Sequence, residues 1–216
     1  FSELSDTVGP EKVIFRYDPI LFNQKMDEQF HLDSFKAISS SLEGKTTRCV
    51  ISIVDDYRKA RGRMRELSNM KGFQTLPFNP QGHREREFLV KMARISNERG
   101  MEIQSCAEDF DLTEFGIFPG KCIDDDLIKK VFGLDLAAKK DPNQREACGC
   151  VVSKDIGSYD TCVMGCRYCY ATSSFKTAAG NIKAHDPKSP VLLPGDFDIR
   201  EPESSSAEAP IQPTLI

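Results

Sequence analysis

Six consecutive residues, Cys49-Val50-Ile51-Ser52-Ile53-Val54, are nearly all apolar. A run of that length without alternation reads as a strand buried on both faces. Strands of this kind belong to parallel sheets with helices packed on either side. The flanking sequence agrees. Val13-Ile14-Phe15-Arg16-Tyr17 is a β-branched and aromatic run, and Ile103 to Cys106 is a third short strand. Between them lie helical patterns. Asp27 is placed to cap a helix carrying Phe35, Ile38 and Leu42, and Gly44 ends it. A charged segment from Asp56 to Leu67 reads as helical. Arg84 to Asn97 carries Phe88, Leu89, Met92, Ala93 and Ile95 on one side. A last helix is expected from Asp124 to Phe132, with acid in its first turn as the helix dipole favours.

A βαβαβα series implies parallel strands joined by right-handed crossovers. Three strands do not close an eight-stranded barrel. Residues 1–140 therefore read as a partial βα-barrel or as part of a doubly wound parallel sheet. Phe1 to Val8 reads as a helix already under way, the expectation for a fragment of a longer chain.

The remainder is different in kind. Residues 141–186 are short of helix signals and rich in Cys, Gly and Tyr, and read as a Cys-rich cluster-binding segment. Residues 187–216, rich in Pro, Ser and Glu, read as a flexible tail. Five of the eight cysteines lie between 148 and 169. A disulfide framework belongs to small secreted domains, whereas clustering in a chain with no secretory signal points to a metal. The chain is expected to be cytoplasmic. The net charge is −4 and no basic run marks a nucleic-acid footprint. No apolar stretch approaches the length of a membrane span.

Within Thr161 to Tyr170, three thiols, Cys162, Cys166 and Cys169, fall in eight residues around Gly165. Soft thiolates select zinc, Cu(I) or iron–sulfur clusters. A closed cluster usually takes four cysteines. With three, one iron is left open for chemistry, unless Cys148 or Cys150 supplies the fourth thiolate.

Cys-x3-Cys-x-aromatic-Cys, with Tyr168 as the aromatic, resembles the cluster motif of the radical SAM (S-adenosylmethionine) enzymes. The resemblance implies a [4Fe–4S] cluster held by Cys162, Cys166 and Cys169, with Tyr168 beside the cofactor and S-adenosylmethionine on the open iron. It further implies an unknown substrate and a one-electron reductant such as a flavodoxin or ferredoxin. Phe15 to Leu21, Cys49 to Ser52, Gly120 to Asp124, Asn143 to Arg145 and Ala147 to Cys150 resemble the bacterial domain of unknown function 1848 family. That family's C-terminal cysteines are likened to the radical SAM cluster, and its members are longer at the N-terminus. The layout departs from the radical SAM norm, because the motif lies late in the chain and no Gly-Gly pair is present. Either the barrel is permuted, with Val151 to Ile156 as the strand feeding the motif, or the loop sits on another scaffold.

Cys106, Cys122, Cys148 and Cys150 are a candidate second metal site, for zinc or a second cluster. The alternative is four unrelated thiols, and Cys49 reads as a core residue. Each strand ends in acid, at Asp18, at Asp55 and Asp56, and at Glu108 and Asp109. Ligands of α/β folds bind at the C-terminal ends of parallel strands. Arg16, Asp18, Asp55 and Glu108 are thus the candidates for holding substrate, against the alternative that such acids only cap helices. Arg16 and Asp18 share a face by strand period. His31 reads as a packed or exposed helix residue, and His185, close after the motif, as a weaker site candidate. The functional expectation is a radical SAM-like iron–sulfur enzyme. The competing expectation is a non-catalytic module, either an iron–sulfur electron carrier or a zinc-stabilised interaction protein.

Overall fold

The computed structural model describes residues 1–55, 57–70, 73–136 and 139–195. Two compact units are present. The first is Phe1–Ile156 with Gly165–Ala171, and the second is Gly157–Met164 with Thr172–Ile216.

In the first unit, helix α1 (Ser2–Val8) precedes strand β1 (Phe15–Ile20) and the short β2 (Phe22–Asn23). Helix α2 (Glu28–Ser41), strand β3 (Arg48–Ile53) and helix α3 (Arg61–Ser68) follow. Then come β4 (Thr75–Leu76), α4 (His83–Asn97), β5 (Glu102–Cys106), β6 (Phe118–Gly120) and α5 (Asp125–Phe132). The sheet is parallel and four-stranded, in the order β1-β3-β5-β6. β2 and β4 form a separate antiparallel pair. The expected parallel α/β sheet is therefore present, but it is open. A barrel is not formed among the described residues, and the sheet has a fourth strand that the sequence pattern did not disclose. Phe118-Pro119-Gly120 is too short and too rich in Pro and Gly to read as a strand.

The apolar run explains the centre of the sheet. Every residue of β3 after Arg48 is buried, and β3 is hydrogen-bonded on both edges, Ile51 lying between Tyr17 and Ser105. α2 and α4 pack against each other. Phe35, Phe88, Leu89, Met92, Ile51, Ile103 and Ile117 meet in one core, each at most 1% exposed. Helix boundaries follow their caps. The Asp27 carboxylate accepts from the Phe30 N–H at 2.9 Å, and Asp124 from Leu127 at 3.0 Å. Arg48 pairs with Asp124 at 2.6 Å, fixing the start of α5 beside β3.

Two expectations change. The helix expected from Asp56 begins at Arg61, with turns before it, and Asp56 itself lies outside the described residues. Val151 to Ile156 is not a strand. It contributes one antiparallel bridge, Val151 with Lys140.

The second unit contains helix α6 (Phe175–Ala184), capped by the Ser174 hydroxyl. Asp160 anchors its start, accepting from the Ser173 N–H at 2.6 Å and the Ser174 N–H at 3.0 Å. Of the tail expected from 187, residues 196–216 lie outside the described residues. Among the described residues no helix is long and apolar enough to cross a membrane.

Candidate metal centre

Near the C-terminal ends of β3 and β5, the first unit holds a cavity of about 610 Å³. Six of the eight cysteines line it: Cys106, Cys122, Cys148, Cys150, Cys166 and Cys169. Thiols that are scattered in the sequence thus face a common space. Arg16, Asp18, Ser52, Asp55, Arg145 and Tyr168 line the same cavity.

Each group is positioned by the sheet. Arg16 and Asp18 are two residues apart on β1, so their side chains lie on one face. The Arg16 Nε donates to Asp18 Oδ2 at 3.0 Å, and the Ser52 hydroxyl of β3 donates to the other carboxylate oxygen. Cys106 is the last residue of β5. Ala107 then turns the chain with φ 53, an uncommon left-handed conformation for a residue with a Cβ. Cys122 follows β6, and its sulfur lies 3.4 Å from that of Cys106 and 3.2 Å from Arg16 Nη1. Hydrogen bonding from the Cys122 thiol, aided by the Arg16 guanidinium, lowers Cys106 to about 6 and raises Cys122 in turn. Cys49 is the contrast. Buried in β3 and away from the cavity, it is pushed up to about 12 by desolvation, as a core thiol should be.

The end of the cysteine motif is clamped to the same unit. Cys166 to Cys169 close a turn through a 3.1 Å hydrogen bond from the Cys169 N–H to the Cys166 carbonyl. Gly165, with φ 70, enters that turn in the left-handed region open to glycine. From α3, Arg63 donates to the carbonyls of Arg167 (3.1 Å) and Cys169. Glu66 pairs with Arg167 at 3.1 Å. The Tyr168 hydroxyl accepts from the Asp55 N–H at 3.3 Å, and burial raises its pKa. The Tyr57 ring packs at 5.6 Å from Tyr168 and 5.1 Å from Tyr170. Cys162 belongs to the second unit, where it is exposed.

Of the strand-end candidates, Arg16, Asp18 and Asp55 face the cysteine cavity, and Asp55 pairs with Arg145 across it. Glu108 does not. It lines a neighbouring cleft of about 430 Å³ with Phe22, Ile53, Phe78 and Phe110. There its carboxylate accepts the Ile53 N–H at 2.8 Å, and burial raises it to about 7. His31 is buried structure. Its Nε2 meets the Leu21 carbonyl at 3.0 Å and its Nδ1 the Tyr17 hydroxyl at 2.9 Å. His185 sits at the end of α6 with Nδ1 on the Leu192 carbonyl at 2.9 Å. Sequence reasoning passed over Arg63, Tyr57, Ser52 and Arg145. Only Arg145 gave a signal, standing beside the Cys148-Gly149-Cys150 pair.

The donor chemistry fits a soft metal group. Six of the twenty lining residues are cysteines, Arg16 and Arg145 stand among them paired with Asp18 and Asp55, and the sulfurs are spread, no three lying within 4.8 Å of one another. A family model described as Domain of unknown function (DUF1848) matches residues 1–171. The chain belongs to this family. No curated protein and no solved structure matches it. The DUF1848 match takes in all eight cysteines and the whole lining of the cavity.

Proposed function

We propose that this DUF1848 protein is an iron–sulfur enzyme of the radical SAM type, acting on a substrate of unknown identity. The observation that carries the reading is that Cys166, Tyr168 and Cys169 share one cavity with Arg16, Asp18, Asp55 and Arg145. On the strength of the sequence motif, Cys162, Cys166 and Cys169 would hold a [4Fe–4S] cluster, three thiols within eight residues. When bound, that group supplies one electron for cleavage of the S-adenosylmethionine sulfonium. The protein side chains do the rest. Arg145 and Arg16 offer cations to a carboxylate, and Asp18 and Asp55 offer acceptors to an ammonium or to ribose hydroxyls. Tyr57 meets Tyr168 edge-on and Tyr170 at a tilt, so aromatic surface lines one side of the cavity.

Reconstituted without oxygen and chemically reduced, the protein should convert S-adenosylmethionine to 5′-deoxyadenosine and methionine, slowly even without substrate. The Cys166→Ala variant should not. Intact S-adenosylmethionine after incubation with iron-loaded protein would sink the enzyme reading.

A second reading is favoured by the burial of Cys148 and Cys150 beside the same cavity. If either supplies a fourth thiolate, no iron is open and the protein is an electron carrier. A reversible redox signal with no effect of S-adenosylmethionine on the spectrum of the reduced protein would identify that case.

A further inference from the structure

Four of the five thiols outside the motif, all but the core residue Cys49, come from three separate places. Cys106 ends β5, Cys122 follows β6, and Cys148 and Cys150 flank Gly149 far along the chain. They nevertheless converge. The Cys106 and Cys122 sulfurs are 3.4 Å apart. That is well beyond a disulfide bond of about 2.05 Å. It is close to the edge of a sulfur tetrahedron around zinc, about 3.8 Å for a Zn–S bond of about 2.3 Å. Cys148 and Cys150 pack with Cys106 and Ala107 in one small buried cluster. The Cys150 sulfur accepts two backbone N–H groups, from Cys122 at 3.1 Å and Ile123 at 3.4 Å. Paired amide donors on one sulfur are the outer-shell support of a metal thiolate.

We propose that Cys106, Cys122, Cys148 and Cys150 form a tetrathiolate site for a thiophilic metal, separate from the Cys162–Cys169 motif. The backbone is shaped for it. Ala107 takes its left-handed conformation immediately after Cys106. A Cβ on Gly149 would meet Lys121 Cγ at 3.2 Å, so glycine lets the Cys-x-Cys turn lie close against the loop carrying Cys122. The segment from Asp141 to Val151 has few apolar anchors. It is tied by backbone bonds, Asp141 N–H to the Cys150 carbonyl at 2.9 Å and Val151 N–H to the Ile123 carbonyl at 3.2 Å. A metal on Cys148 and Cys150 gives this segment the cross-link that its core does not. The sulfurs stand as two pairs, Cys106 with Cys122 and Cys148 with Cys150, and no three fall within 4.8 Å. Two thiolates on each of two irons is the pattern of a [2Fe–2S] centre, while zinc draws the pairs onto one point. Both are the same donor chemistry.

The test uses the full chain carrying Cys162→Ala, Cys166→Ala and Cys169→Ala, purified without oxygen, with zinc, iron and sulfide measured. The expected result is retention of about one zinc per chain, or of about two irons with two sulfides. In the same background Cys122→Ser and Cys150→Ser should each lose the metal. Because these variants can unfold, a second readout uses the triple variant alone. Alkylation followed by peptide mass mapping should find Cys106, Cys122, Cys148 and Cys150 protected together, and all four modified after chelation. A folded triple variant without metal, protection that a chelator does not lift, or a Cys106–Cys122 disulfide in metal-free protein would each overturn the proposal. Failure of iron to bind the Cys162–Cys169 motif sinks the enzyme reading and leaves this result intact.

Discussion

The sheet around β3 and the cavity beside it obey different physics. Phe35, Leu89, Met92 and Ile51 are each at most 1% exposed and are held by apolar burial from two helices. The cavity is lined by six thiols and by ion pairs such as Arg16 with Asp18 and Arg145 with Asp55, over a small buried cluster of Ala107, Cys148 and Cys150. A non-polar interior is stable by itself, whereas thiols and half-exposed charges at strand ends contribute little until something binds them. The contrast teaches that the fold is a self-sufficient support, and that a metal proposed for the cavity would add stability locally, where binding and folding are coupled.

The comparison breaks first in the core. Phe35→Ala should destabilise the chain by about 3–5 kcal/mol, the cost of a large cavity in a closed interior. Denaturant unfolding of metal-free protein should show that loss in full. A loss that appears only with metal bound would mean the sheet is not self-sufficient.

A smaller effect is expected at the junction of the two regions. Arg63 of α3 holds the carbonyls of Arg167 and Cys169. Arg63→Ala should cost about 1–3 kcal/mol of local order. Hydrogen exchange at Cys166 to Tyr170 should accelerate while exchange in β3 stays unchanged.

The smallest effect is a pH slope confined to the core. Burial lowers the His31 pKa, so the folded state resists protonation more than the unfolded chain does. The stability it contributes is present above the unfolded value of about 6.5 and is lost as pH falls below it toward the folded value. His31→Gln should flatten that slope in thermal unfolding of metal-free protein between about pH 7 and 5. An unchanged slope would assign it to other groups.

Much of the support was legible in the sequence. The β3 run, the α4 pattern and the Asp27 and Asp124 caps are local signals, and each maps onto its element within a residue or so. β6 was not legible, because Phe118-Pro119-Gly120 becomes a strand only by pairing with β5. The start of α3 was misread because charge pattern says nothing about where turns end. In the site, the thiol and acid types were visible, but Cys106, Cys122, Cys148 and Cys150 were grouped only as one of two alternatives, because sequence gives no distances. Cys106 and Cys122 meet through the β5–β6 pairing, and Cys150 meets both only through a chain segment with no regular structure. Glu108 illustrates the converse. It ends a strand like Asp55, yet the left-handed turn at Ala107 precedes it and it lines the neighbouring cleft. Sequence spacing carries the alternation of faces along a strand, not the direction of a side chain after an irregular turn.

The central claim is that thiols of the Cys162–Cys169 motif hold a [4Fe–4S] group. The direct measurement is iron and acid-labile sulfide in full chain purified and reconstituted without oxygen, beside the Cys162→Ala/Cys166→Ala/Cys169→Ala variant. The account predicts a brown protein and a difference of about four irons and four sulfides per chain between the two. A colourless protein holding only stoichiometric zinc, or equal iron in both, would contradict it.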